Sequence, residues 1–156
     1  MRLKFLFIGR TRQPYLAEGV SDYLKRIKLY LPVEEVILKE TKIKDNKDAS
    51  RIRAEDTARL LASLKPEDVF VLLDPKGRTM TSLEFADWLK KEMDRGVKTI
   101  VFGLGGPLGL DRIILDQAEL SLSLSRMTLT HEMSRLILVE QIFRALRINA
   151  GHPYHK

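Results

Sequence analysis

Short apolar runs of strand length alternate along this chain with stretches whose apolar residues recur at helical spacing. That alternation restricts the fold more than any single motif. Leu3 to Ile8, Val33 to Leu38, Val69 to Leu73, Thr99 to Phe102 and Leu120 to Leu124 read as strands. Helical stretches lie between them, from Tyr15 to Leu31, Ser50 to Leu64, Ser82 to Asp94 and, shorter, Leu110 to Ala118; a last helix runs from Glu132 to Asn149. Strands joined through helices pair in parallel, since a crossover of a dozen residues is what a parallel pair requires. The expectation is an α/β fold, a mostly parallel sheet flanked by helices. With 156 residues, no internal repeat and no long linker, residues 1–156 read as a single domain.

Local signals agree with this division. Pro14 suits a helix entrance, and Pro66 stops the helix before it. Gly96 ends the helix that carries Leu83, Ala86 and Leu89 on one side, and Asp74-Pro75-Lys76-Gly77 is a turn signal. Lys39 to Asp48 is highly charged with few apolar anchors and reads as a solvated, mobile loop or as one that faces RNA.

Composition excludes several classes. There is no cysteine, so disulfides and thiolate metal sites are ruled out. No run approaches the roughly 18 apolar residues of a membrane span, and the apolar start has strand length without a signal-peptide cleavage site. A cytoplasmic protein without membrane contact is expected. His152 and His155 are close in sequence, but His131 lies about 30 Å away along a straight helix, so no metal site is expected. A Gly-x-Ser-x-Gly elbow is absent. The net charge of +6 fits a polyanionic partner such as nucleic acid, or simply a basic soluble protein. Arg10, Arg12, Lys25, Arg26 and Lys28 would contribute to phosphate contacts.

In a parallel sheet ligands bind outside the carboxyl ends of the strands. Three loops there carry suitable residues: Asp74 to Gly77, Gly103 to Gly109, and Ser125 to Thr130. The glycine loop is no dinucleotide fingerprint, because Leu108 stands where the third glycine is needed, and no Lys-Ser/Thr follows as in a phosphate loop. Gly103, Gly105, Gly106 and Gly109 allow close backbone approach and positive φ. They fit a backbone-read purine edge or a tight strand-to-helix turn.

The last helix is apolar on two sides, with Met133, Leu136, Ile137, Phe143 and Leu146 beside Leu138, Val139, Ile142 and Ala145. Such a helix is buried against its own sheet and a partner subunit, as in a homodimer, or at the centre of a monomer. Arg135, one turn into the helix, could face the loop edge and there a phosphate or an oxyanion, or equally be solvated. The chain ends His152-Pro153-Tyr154-His155-Lys156, directly behind that helix.

These segments, in this order, closely resemble the RlmH-type ribosomal RNA methyltransferases of the SPOUT superfamily. The resemblance spans the whole chain. It is carried by Phe7-Ile8-Gly9, Ser21-Asp22-Tyr23-Leu24-Lys25-Arg26, Leu73-Asp74-Pro75-Lys76-Gly77 and Phe102-Gly103-Leu104-Gly105-Gly106-Pro107-Leu108-Gly109. It continues through Leu122-Ser123-Leu124-Ser125-Arg126-Met127-Thr128-Leu129, Arg135, Val139 to Ala145 and the terminal His152 to Lys156.

The resemblance implies a C-terminal trefoil knot, a homodimer, S-adenosylmethionine as cofactor, and methylation of N3 of a pseudouridine in 23S rRNA within the assembled 70S ribosome. By position it assigns the cofactor to Leu73, Gly106, Ser125, Arg126, Met127, Thr128, Leu129 and Thr130. Arg135, Tyr154 and His155 are the catalytic candidates. Arg135 would hold phosphate or a carbonyl oxygen, and Tyr154 or His155 would place the base or relay its proton. Thr130 departs from the proline that family members often carry before the histidine. A non-catalytic ribosome-binding module of the same fold, or an enzyme acting on tRNA, are the alternatives.

Overall fold

The computed structural model describes residues 1–42 and 48–152. The apolar runs become five strands, β1 (Arg2–Ile8), β2 (Val33–Leu38), β3 (Val69–Thr79), β4 (Thr99–Leu104) and β5 (Leu120–Ser123). They form one sheet in the order β2-β1-β4-β3-β5, and every described pairing is parallel. Four α-helices connect or follow them: α1 (Pro14–Ile27), α2 (Ala49–Leu61), α3 (Ser82–Asp94) and α4 (His131–Asn149), with a 3₁₀ segment at Arg112–Gln117.

Side-chain alternation places an apolar layer on each face of the sheet. Leu3, Phe5, Phe7, Val71, Ile100 and Phe102 pack beneath α1, α3 and α4. Leu6, Phe70, Leu72 and Val101 face the other way, onto Leu60 of α2 and Ile114 of the 3₁₀ segment. On α3 the buried residues are Phe85, Ala86, Leu89 and Glu92, whereas Leu83, expected inside, is 57% exposed. Leu83 lies in the first turn, which is fixed instead by a reciprocal cap between Thr81 and Glu84.

The helix α4 lies between α1 and α3 on the sheet. None of its residues from His131 to Asn149 is exposed. Its inner face, Leu138, Val139, Ile142, Ala145 and Leu146, is buried, while Met133, Leu136 and Ile137 are partly covered within the same chain. The two apolar sides are therefore largely accounted for by α1, α3 and the sheet.

The strand β3 departs from expectation. Asp74 to Gly77 is a local irregularity inside a longer strand rather than its end. Leu73 pairs with Leu122, the register then shifts, and Arg78 returns to Leu122 and Thr79 to Ser123. Asp74 ties the bend by accepting a hydrogen bond from the Lys76 backbone at 2.9 Å. Gly77 is required there by space, because a Cβ would stand 2.6 Å from the Ser121 backbone.

Candidate active site

At the carboxyl edge of β3, β4 and β5 the three loops singled out from the sequence enclose a cavity of about 600 Å3, a usual size for a small-molecule site. Leu73, Gly106, Ser125, Met127, Thr128, Leu129 and Thr130 line it. Arg126 is exposed and is not among the lining residues. Of the four glycines in the loop, only Gly109 has a positive φ, at +74°. At Gly105 the constraint is space, since a Cβ would come within 2.8 Å of the Leu110 side chain.

Leu104, Leu110, Ile114 and Leu122 make much of the wall apolar, with Asp74, Asp111, Lys76 and Arg112 among its charged residues. A planar base would lie well between such leucine and isoleucine surfaces. Two cations and two carboxylates fit a ligand carrying both charge signs better than a polyphosphate. This lining is compatible with an adenosyl sulfonium amino acid.

Among the cavity residues that the three loops and the cofactor assignment leave out are His131 and Ser134, both in the first turn of α4. Their only signal was adjacency to Thr130. Thr130 caps the helix by accepting the Met133 N–H at 3.2 Å, and its carbonyl accepts from the Ser134 hydroxyl. Burial, and next the Arg135 charge, push the His131 imidazole below its ordinary pKa, so it is neutral at pH 7.

Arg135 does not reach the cavity. It is fully buried and donates to the Ile8 carbonyl at 2.7 Å and the Thr11 hydroxyl at 3.0 Å. Its guanidinium carbon lies 4.9 Å from the centre of the Phe7 ring. Burial lowers its pKa, opposed by the charges of Glu132, Glu35 and Glu40. Tyr154 and His155 lie outside the described residues, as does most of the charged segment after Lys42. The described start of that segment is fastened: Thr41 donates to buried Asp56, and Arg59 donates to the Lys39 carbonyl. Among the expected phosphate contacts, Arg10 is exposed, Arg12 pairs with Glu40 and Arg26 pairs with Asp22.

Among the described residues no group of His, Asp or Glu is arranged to hold a metal ion, and no helix is long and apolar enough to cross a membrane. A parallel α/β sheet with a nucleoside-sized cavity in loops at its carboxyl edge defines a class of proteins that bind nucleotide-like ligands at that edge. Within that class, the family described as "Predicted SPOUT methyltransferase" matches residues 1–155, and the chain belongs to it. It is a methyltransferase.

Relatives match over nearly their whole length. A protein of Solidesulfovibrio magneticus named ribosomal RNA large subunit methyltransferase H is 40% identical over 153 residues, covering 98% of this chain and 97% of its own. Proteins of the same name from Lactococcus lactis subsp. lactis and a Geobacter species are 38% and 41% identical. The first is covered over 100% of both chains and the second over 99% of both.

Proposed function

We propose that this protein transfers a methyl group from S-adenosylmethionine to N3 of a pseudouridine in 23S rRNA, acting as a cytoplasmic homodimer with a C-terminal knot on the assembled 70S ribosome. One observation carries the reading most: the β3 bend, the glycine loop and Ser125 to Thr130, distant in sequence, wall a single cavity. The near-complete match to relatives named for the large ribosomal RNA supports the substrate.

S-adenosylmethionine supplies an electrophilic methyl group. Leu73, Gly106, Ser125 and Met127 to Thr130 would hold it, and the apolar walls would exclude water from the reacting centre. Forming the N3–CH3 bond would break the donor's S–CH3 bond, leave S-adenosylhomocysteine as the thioether product and release the N3 proton, which a protein group must accept. His131 is neutral at pH 7 and stands at the cavity wall, so it can serve. Tyr154 and His155 of the tail contribute base positioning or the same proton transfer. Arg135 contributes by holding the loop after β1 rather than by touching the base.

The test is transfer of a labelled methyl group to 70S ribosomes lacking the modification, with free 23S rRNA and tRNA in parallel and the product nucleotide mapped. Label on a pseudouridine of the large-subunit RNA, in 70S particles alone, is the expected result. Label on tRNA, or absence of cofactor binding, overturns it.

A further inference from the structure

The first turn of α4 has two sides with different duties. His131 and Ser134 point into the cavity, while Glu132 and Arg135, one turn apart, point at the loop that leaves β1. The Glu132 carboxylate is buried, and one of its oxygens accepts the backbone N–H groups of both Arg12 and Gln13, each at 3.0 Å. Gln13 is the N-cap position of α1, and its own side chain makes no capping bond. Glu132 thus takes, from 119 residues away in sequence, the N–H of the N-cap residue, the donor that a capping-box carboxylate accepts within a single helix, together with that of the residue before it. A negative charge at an α-helix N-terminus is also favoured by the helix dipole. The bond from Gln13, above all, holds the carboxyl below its usual pKa. Arg135 adds the bonds to Ile8 and Thr11, so two side chains of one helical turn fix the segment from Ile8 to Gln13.

The fastened segment exposes Arg10 and Arg12, and Tyr15 just beyond it is 64% exposed. Arg10, Arg12 in its pair with Glu40, and an open aromatic ring within one six-residue stretch suit single-stranded RNA, which is bound through phosphate pairing and base stacking. We infer that Glu132 is a positioning residue for RNA: it locks the Arg10–Tyr15 segment to the same helical turn that walls the methyl-donor cavity, and so sets the target base in register with the donor. The inference rests on the reading of the chain as an rRNA methyltransferase.

Glu132→Ala and Glu132→Gln separate this role from a merely structural one. The glutamine oxygen can accept the same two N–H groups; alanine accepts none. In Glu132→Ala the Arg12 and Gln13 amides should lose protection from hydrogen exchange. The KM for 70S ribosomes should rise about tenfold while the Kd for S-adenosylhomocysteine stays within about twofold, as expected when bonds to one charged group are lost outside the cavity. Glu132→Gln should restore most of both the protection and the KM. An unchanged ribosome KM in Glu132→Ala overturns the inference. So does a cofactor affinity that falls together with the KM, or a Glu132→Gln variant no better than alanine. If the wild-type protein methylates no ribosomal RNA, the functional reading fails separately. The exchange of Arg12 and Gln13 then still shows whether Glu132 holds the segment, and unaltered exchange overturns that part too.

Discussion

Replacing Arg135 separates what the buried guanidinium does for the fold from what it does for activity. Arg135→Met keeps most of the side-chain volume and removes the charge; Arg135→Ala removes both. Two hydrogen bonds from a charged donor contribute about 1.5–3 kcal/mol each, and the contact with Phe7 adds about 2 kcal/mol in a desolvated site. Against these stands the cost of burying a cation, several kcal/mol even after relaxation. The two contributions nearly offset each other, so Arg135→Met should lie within about 2 kcal/mol of the wild type in urea unfolding. Part of any remaining loss comes from the Ile8 carbonyl left without its donor, and from Glu132, Glu35 and Glu40 left without the cation between them. Arg135→Ala adds a cavity beside Phe7 and should lose about 3–5 kcal/mol. Both variants release the loop after β1, so methyl transfer should fall in both, and by a similar factor. If methionine destabilises as much as alanine, the hydrogen bonds outweigh desolvation and this reasoning is wrong. Full turnover in Arg135→Met would remove Arg135 from the functional account.

Other substitutions test the cavity walls and their charges. Gly77→Ala should cost about 1–3 kcal/mol, because its Cβ meets the backbone of Ser121 and Leu122, which cannot swing aside as a side chain can. It should also weaken S-adenosylhomocysteine binding in calorimetry, since Leu122 is a cavity wall; a loss of stability below about 0.5 kcal/mol would contradict the packing. Thr130 has φ −64°, the value proline adopts, so Thr130→Pro fits the backbone. It exchanges a capping bond of about 1 kcal/mol for a gain of about 0.4–1 kcal/mol through the unfolded chain, leaving thermal stability nearly unchanged.

Glu132 and His131 both have pKa values lowered by folding, from 4.5 and 6.5. In each case the unfolded chain binds the proton more readily, so stability falls with pH, through His131 below 6.5 and through Glu132 below 4.5. The stability gap between wild type and Glu132→Gln should therefore narrow as pH drops below that lower value. A gap constant to pH 3 would deny the carboxylate its charge-dependent role.

The central strands were legible because the sheet is buried on both faces there, so Val69 to Leu73 is an unbroken apolar run and Leu3 to Ile8 is broken only by Lys4; the edge strands β2 and β5, which carry Glu34, Glu35, Ser121 and Ser123, showed as shorter apolar pairs and alternations. The three converging loops were legible because parallel topology forces the carboxyl ends to one edge. What was lost depended on pairings across the chain. Asp74-Pro75-Lys76-Gly77 reads as an end to β3, and it does bend, but β5 pairs with the strand on both sides of the bend and continues it. Leu110 to Ala118 reads as a short helix; its regular part is the 3₁₀ segment Arg112–Gln117. Arg135 looked as likely to meet solvent as ligand, because no local pattern announces a guanidinium stacked on Phe7. The bonds from Arg12 and Gln13 to Glu132 span 119 or 120 residues and leave no trace in either segment alone.

The buried polar side chains follow one rule that sequence could not reveal. Asp56 holds Thr41 after β2, and Thr57 accepts the Asp111 N–H at 2.7 Å at the end of the glycine loop. Ser123 donates to the Ser125 carbonyl after β5, while Glu132 and Arg135 hold the segment after β1. Among the described buried polar residues, Glu92 alone lies elsewhere, on α3 with Arg95. Burying a polar group costs stability unless it is fully bonded, and even buried ion pairs often gain nothing over well-packed apolar residues. The groups are nonetheless concentrated under the loops that leave β1, β2, β4 and β5. A site assembled from loops needs such fastening, because backbone that leaves a strand has lost its ladder hydrogen bonds and drifts unless side chains replace them. The polar core of this chain is thus placed where position, rather than stability, is the property that methyl transfer demands.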